Sequence, residues 1–341
     1  MSEKKVVAVA GATGAQGGGT ARAILADPDS GFTVRALTRN PDSPAAKELA
    51  QLGAEVVRAD FHDEPTVHEA FEGAYGAFLV TNFWAHGSAA KEMEEIEVLV
   101  RAAKNAGLRH VVWSTLEDTR ELLPLEDERM PVLQEKYNVP HFDAKGEGNE
   151  LFRQAGVPTT FLNTTFYFQG FLSMMGPKRA EDGVLTLTLP LEDGKLLAGV
   201  DVNDIGGTAL AILKTGERFI GQTVGLAGDH LTGAQYAQKL GAAIGEPVRF
   251  QSLGALRRLP LPGRTGGRRD RQHVPVLRRL RPGVHRIPRP APSAGDQPGT
   301  QELRRLARRE RREHPGALTC YRRRATRRGC RFSGGHPRNA E

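Results

Sequence analysis

Cysteine, long apolar runs and, in one segment, lysine are what this 341-residue sequence lacks. Only two cysteines occur, Cys320 and Cys330, too few for a disulfide framework or a thiolate metal cluster, and no metal site is expected. No stretch of about 18 apolar residues is available to span a bilayer, and residues 1–5 are too short and polar for a signal peptide. A soluble, cytoplasmic chain with no membrane partner is therefore the expectation. The missing lysine divides the chain. Residues 251–341 carry 24 arginines, no lysine and 6 acids, a net +18, whereas residues 1–250 carry 23 Lys+Arg against 34 Asp+Glu, a net −11. The overall +7 thus averages an acidic protein and a strongly basic end.

The first half alternates short β-branched runs with helical patterns, which predicts an α/β, Rossmann-type, doubly wound parallel sheet. Strands are expected over 6–10, 33–37, 54–59, 77–80 and 110–113, and helices over 15–26, 43–52, 64–71 and 92–106. Residues 117–140 are acidic and irregular and read as a surface loop or lid. Beyond them a helix over 143–155, a strand over 159–162, an apolar helix over 166–175, a strand over 184–189, a helix over 204–213, a strand over 223–226 and a helix over 232–244 are expected. Three segments follow: a dinucleotide-binding domain over 1–156, a small C-terminal α/β substrate domain over 157–250, and an Arg/Pro-rich, disordered or aberrant tail over 251–341.

The apolar run 6–10 leads into Gly11-Ala12-Thr13-Gly14-Ala15-Gln16-Gly17 and then into a helix. A strand that ends in glycines and turns at once into a helix brings backbone close to a pyrophosphate and aims free N–H groups at it. Strand two ends in Thr38-Arg39-Asn40. NAD-selective sites place an acid here for the ribose 2′-OH, whereas arginine pairs with a 2′-phosphate, so Arg39 points to NADP(H). Asp27 and Asp29 precede strand two and cannot supply that acid. Asp60-Phe61 follows strand three on the adenine side, and Thr81-Asn82-Phe83 follows strand four at the carboxyl edge where ligands enter an open α/β sheet. Phe83 and Trp84 either wall the site or fill core.

Active short-chain reductases carry Tyr-x-x-x-Lys on a helix, where the lysine lowers the pKa of a tyrosine that donates a proton. Here His141-Phe142-Asp143-Ala144-Lys145 keeps the lysine and replaces the tyrosine by His141. His141 and Ser114, the latter with Thr115 at the end of strand five, are the candidate catalytic groups, and neither has a tyrosine beside it in sequence.

Together, residues 11–18, Thr38-Arg39-Asn40, Val80-Thr81-Asn82-Phe83-Trp84, His141-Phe142-Asp143-Ala144-Lys145-Gly146 and Tyr167-Phe168 resemble the NmrA-like family, in its HSCARG-type NADP(H)-sensing branch of the atypical short-chain dehydrogenases. The resemblance covers residues 3–250. It implies a Rossmann domain that binds NADP(H) and answers the NADPH/NADP ratio by changing shape or association, through a homodimer or a regulatory protein partner, often without turnover. The alternative is an NADPH-dependent reductase with a carbonyl, quinone or enone as its small-molecule substrate. By that likeness residues 11–16 hold the pyrophosphate, Arg39 the 2′-phosphate, Lys145 the ribose region and Tyr167-Phe168 the nicotinamide side. The acid and asparagine that follow the aromatic pair in the family are Gln169 and Gly170 here.

Three readings compete for residues 251–341. Dense arginine suits a nucleic-acid arm, though nucleic acid is the least favoured partner, and the composition suits a solvated tail. A frameshift accounts for more: Arg, Pro, Gly and Ala share GC-rich codons, and lysine is missing. Arg271-Gln272-His273-Val274-Pro275-Val276-Leu277-Arg278 can be encoded so that reading one nucleotide later gives Gly-Asn-Met-Phe-Gln-Phe-Tyr, which is similar to a segment of the NmrA-like family. Sequencing the encoding DNA is expected to reveal that shifted frame open through these codons; stop codons in it would end the idea.

Overall fold

In the computed structural model, residues 3–253 are described, apart from Met174; the three readings of the tail, and both cysteines, lie outside them. The elements are β1 (Lys5–Val9), α1 (Ala15–Leu25), β2 (Phe32–Thr38), α2 (Pro44–Gln51), β3 (Glu55–Arg58), α3 (Glu64–Phe71), β4 (Gly76–Leu79), α4 (Ala89–Asn105), β5 (His110–Thr115), α5 (Pro140–Ala155) and β6 (Thr159–Asn163). They continue as β7 (Phe166–Tyr167), β8 (Lys178–Arg179), β9 (Leu185–Leu189), β10 (Leu196–Val200), α6 (Val202–Lys214), β11 (Thr223–Gly225), β12 (Asp229–Thr232), α7 (Gly233–Ile244) and β13 (Val248–Ser252).

Seven parallel strands form the central sheet in the order β11-β6-β5-β4-β1-β2-β3. The order reverses between β1 and β4, so their carboxyl ends splay apart and open a crevice. The strands are buried on both faces, as their continuous apolar character requires. Alternation along β1 divides the core: Val7 and Val9 face the layer of α1 and α6 with Ile24 and Ile205, while Ala8 and Ala10 face Ile96, Leu99, Trp113 and Phe152 on the other side. The expected doubly wound α/β sheet is thus the observed one.

The layers do not divide at 156/157. β6 and β11 complete the central sheet, and α6 packs on α1, so part of 157–250 builds the central layers. The remainder forms two three-stranded sheets, β12-β10-β7 and β13-β9-β8, around Phe168, Leu187, Leu231 and Tyr236. The helix expected over 166–175 is instead β7 followed by a single 3-10 turn over Phe168–Leu172. An apolar aromatic run does not by itself choose between strand and helix; here β7 gains pairing with β10 (Phe166 to Gly199, Tyr167 to Val200). β13 extends the ordered pattern to Ser252, beyond the expected end at 250. Among the described residues no helix is long and apolar enough to cross a membrane.

Helices α1 and α6 meet backbone to backbone. A Cβ on Gly206 would lie 2.3 Å from the carbonyl carbon of Gly19, whereas one on Gly207 would meet nothing within 4 Å. Gly206→Ala is expected to cost about 1–3 kcal/mol through overpacking, and Gly207→Ala to be neutral or to stabilise by up to about 1 kcal/mol through helix propensity. Urea unfolding midpoints check both, and equal midpoints would show that the helices can separate freely.

Candidate functional site: a cradle at the carboxyl edge of the sheet

The turn from β1 into α1 is built by what its glycines lack. Gly11 adopts φ +59°, open to glycine with little strain. Gly17 stands so close to β1 that a Cβ would lie 2.3 Å from the carbonyl oxygens of both Ala10 and Gly11. The turn is fixed by Gly14 N–H donating to the Gly11 carbonyl (2.8 Å) and Ala12 N–H donating to the Leu37 carbonyl of β2 (3.3 Å). Helices α2, α4 and α7 are capped by the side chains of Ser43, Ser88 and Thr232. At α1 the cap is Gly14, which has no side chain to offer, and no acid lies in the first turn. Its first-turn N–H groups, partnerless within the helix by geometry, open onto the exposed Thr13, Gly14 and Ala15. This is a ready anion site, and its donors and shape fit a pyrophosphate.

The flanking residues fall on the two sides of β1 in the sheet order. On one side, Arg39 leaves the end of β2 for solvent with no hydrogen-bond or ion-pair partner among the described residues. Asp60 closes the turn after β3, its carboxylate accepting from His62 N–H (3.1 Å) and its own N–H donating to the Thr66 hydroxyl (3.0 Å). Phe61 is half-buried against the second core. On the other side, Asn82 is exposed at the end of β4. The two aromatics that follow part company. Phe83 is core, packed with Ala89, Tyr137 and Ala144, while Trp84 is 75% exposed and leans on the His141 ring at 4.9 Å between centroids. His141 sits in the first turn of α5 in this aromatic group, with Phe83 at 5.5 Å and Phe142 at 4.9 Å.

Lys145 is buried, and its three ammonium protons are all accounted for. It donates to the Thr81 carbonyl (3.1 Å) and the Thr81 hydroxyl (2.6 Å), and pairs with Glu92 Oε1 at 2.7 Å. The Thr81 hydroxyl in turn donates to Glu92 Oε1 (2.6 Å). Glu92 is fully buried. Its second oxygen, Oε2, faces His86 Nε2 at 3.7 Å, and Glu95 lies 3.8 Å from the same nitrogen. Burial first, and the Glu92 carboxylate second, push the Glu95 carboxyl up to about 7. The spacing of His86, Glu92 and Glu95 would admit a cation, but the tautomer argues against one: His86 Nδ1 accepts from Ser88 N–H (3.1 Å), which leaves the hydrogen on Nε2 and makes that atom a donor. Sequence reasoning missed this cluster. Its signal was the phase of α4, where Glu92 and Glu95 share the buried stripe of Ile96 and Leu99.

The segment 117–140 is not a free lid. Asp143, fully buried on α5, accepts from Thr119 N–H (2.8 Å) and hydroxyl, Asn138 N–H (2.7 Å) and Val139 N–H (2.9 Å). Asn138 Nδ2 donates to the Leu123 carbonyl (2.6 Å), and Leu123, Met130 and Val139 form a small core of their own.

Ser114 ends β5 almost fully buried and donates to Gln16 Oε1 (2.6 Å). The Gln16 amide nitrogen donates to the Tyr167 hydroxyl. The tyrosine absent in sequence from the neighbourhood of Ser114 is therefore supplied in space by β7. Burial pushes the Tyr167 hydroxyl above its ordinary pKa, against the opposing pull of hydrogen bonds with Thr164 and Gln16. Phe168, expected beside Tyr167 on the nicotinamide side, turns the other way: it is 1% exposed in the third core, 6.3 Å from the Tyr236 ring. β7 ends at Tyr167 and the 3-10 turn begins at Phe168, so the chain changes direction between them and Tyr167 alone of the pair reaches Gln16.

A family model described as the NmrA-like family matches residues 3–259. The NmrA-like oxidoreductase hkm9 of Aspergillus hancockii is 31% identical over 262 residues, which cover 73% of this chain and 75% of that relative. With FrzB of Cladobotryum sp the identity is 34% over 172 residues, 49% of this chain and 48% of the relative, so the match spans about half of FrzB. Among solved structures, NmrA, a negative transcriptional regulator, superposes in its NADP complex with TM-score 0.64 and 25% identity over 76% of this chain and 78% of NmrA; it has also been solved with NAD. The Citrobacter sp. triphenylmethane reductase complexed with NADP(H) shares the fold, with TM-score 0.59 at 22% identity over 74% of this chain and 79% of its own.

Lys145→Met leaves the Glu92 carboxylate buried without its counter-charge and is expected to cost about 3–5 kcal/mol. The double variant Lys145→Met/Glu92→Gln should recover most of that loss. Chemical denaturation of the two variants tests the pair, and identical stabilities would show that it carries no coupling.

Proposed function

Because the chain belongs to the NmrA-like family, we propose that it binds NADP(H) at the α1 cradle and acts as a cytoplasmic redox sensor or regulator rather than as a standard dehydrogenase. The observation that carries the sensing half of this reading is the state of Lys145. In a Tyr-x-x-x-Lys site the ammonium lowers a tyrosine pKa; here its protons are taken by Thr81 and Glu92, and the residue four before it is His141, set among aromatic rings. The site has the parts for holding a dinucleotide, and among the described residues no tyrosine shares a hydrogen bond with the Lys145 ammonium. The regulatory character of NmrA, solved with both NAD and NADP, supports the same reading. Preference for the phosphorylated cofactor rests on Arg39, a guanidinium that pairs well with a phosphate and, though within electrostatic reach of Glu95, makes no hydrogen bond or ion pair among the described residues.

In this reading the α1 N–H groups hold the pyrophosphate, Arg39 the 2′-phosphate, Asp60 and Phe61 the adenine side, and Thr81, Asn82 and Tyr167 line the other half. The bound group supplies a nicotinamide that exchanges a hydride; the chain's own residues bind and orient it. A homodimer or a regulatory protein partner reads the outcome. The second reading, an NADPH-dependent reductase acting on a carbonyl, quinone or enone, draws support from the relatives named as oxidoreductases and from the closeness of Ser114 and Tyr167.

Arg39→Ala is expected to weaken NADPH binding by about 10- to 100-fold, the worth of a charge-assisted contact, and NADH binding by less than about twofold. Fluorescence titration separates the two, and equal loss for both cofactors would remove Arg39 from the 2′-phosphate. NADPH consumption over a carbonyl and quinone panel that disappears in His141→Phe would replace the sensor by the reductase.

A further inference from the structure

We infer that Ser114 and Tyr167 form a clamp for a primary carboxamide, which the Gln16 side chain fills in the cofactor-free chain and yields to the carboxamide of a bound nicotinamide. The inference rests on the dinucleotide reading above and adds to it the group that tells an intact nicotinamide cofactor from its adenosine fragment.

A primary amide has an oxygen that accepts and a nitrogen that donates. The two hydroxyls address one end each: Ser114 Oγ donates to Gln16 Oε1 at 2.6 Å, and Tyr167 Oη accepts from Gln16 Nε2. Only the fold assembles this reader. Gln16 lies in the first turn of α1, Ser114 at the end of β5 and Tyr167 on β7, separated by 98 and 151 residues from Gln16.

The clamp is on the correct side of the cradle. In the sheet, β2 and β3, bearing Arg39 and leading to Asp60, lie to one side of β1, while β4 and β5, bearing Ser114, lie to the other. A dinucleotide that crosses the α1 N-terminus with its phosphorylated ribose at Arg39 directs its opposite end, the one carrying a primary carboxamide, toward β5.

The three members also differ in freedom. Ser114 is 2% exposed on a central strand. Tyr167 is held by β-pairing with Val200 and by the Thr164 hydroxyl. Gln16 is half-buried on a flexible side chain at the rim, so it is the member that can leave. Exchange of one primary amide for another conserves both hydrogen bonds and returns side-chain freedom to Gln16. A ligand without the carboxamide gives Gln16 no reason to move.

Titration of the full chain with three probes tests the clamp: NADP+, its 3-acetylpyridine analogue, which keeps the carbonyl and loses the NH2, and 2′-phospho-ADP-ribose, which lacks the ring. In the Gln16→Ala background, where no side-chain amide competes for the clamp, Ser114→Ala is expected to weaken NADP+ and the analogue about tenfold each, one hydrogen bond's worth; in the unsubstituted chain the same loss falls on the free and bound states alike and leaves the affinities nearly unchanged. In the same background Tyr167→Phe should weaken NADP+ similarly and leave the analogue unchanged, because the analogue has no N–H to present. Gln16→Ala, which removes the competitor, should tighten NADP+ by a few-fold. Neither hydroxyl substitution should alter 2′-phospho-ADP-ribose in that background, and its retained binding also certifies the fold. Equal losses for all three probes, or no loss of NADP+ when either hydroxyl is removed from the Gln16→Ala chain, would overturn the clamp alone. Failure of the unsubstituted chain to bind any of the probes would overturn the dinucleotide reading and the clamp with it.

Discussion

The buried pair of Lys145 and Glu92 holds the site together. Burying either charge without the other is costly, so the pair obliges α4, α5 and the end of β4 to meet at one point, with the Thr81 carbonyl and hydroxyl completing the ammonium's shell. Two consequences follow. The second oxygen of Glu92 is turned toward His86 and Glu95, so a set of ionisable groups gathers beneath the crevice floor. The ammonium is also already committed when a ligand arrives, which separates holding a cofactor from priming an acid.

The rest of the crevice is stiffened from outside. Asp143 binds four donors from the segment before α5 and so fixes the approach to His141 two residues earlier. Gln169 donates to Asp201 and accepts from Val202 N–H, tying the turn after β7 to the start of α6. Since α6 lies directly on α1 through Gly206 and Gly19, the later part of the chain grips the nucleotide helix along its back as well as at Gln16. A change of position in β7 or α6 therefore reaches the cradle through packed backbone.

Much of this was legible in the sequence because local chemistry dictates it. The strand-to-helix turn at 11–17 and the alternation of strands and helices each depend on residues near one another in the chain. What sequence reasoning did not reach depends on which strand lies beside which. The separation of Tyr167 from Phe168 requires β7 to pair with β10, and a two-residue strand leaves almost no periodicity to read. The commitment of Lys145 requires knowing that an acid on α4 faces inward, and the Tyr167–Gln16–Ser114 line joins three elements that no spacing rule connects. Residues 117–140 read as loose because they are acidic and lack a period, yet their order comes from one buried aspartate on the following helix.

The two tryptophans occupy opposite extremes. Trp113 is fully buried with the Lys145 ammonium 5.2 Å from its ring centre, while Trp84 stands in solvent against His141. The protein consequently carries two intrinsic lamps of different colour. The inner one, buried beside a fixed cation, is expected to emit toward the blue and to answer to the integrity of the buried pair; the outer one, wetted against His141, is expected to emit toward the red and to answer to whatever comes to rest beside it. A single emission spectrum resolved into those components distinguishes a chain that has taken up a ligand from one that has begun to come apart.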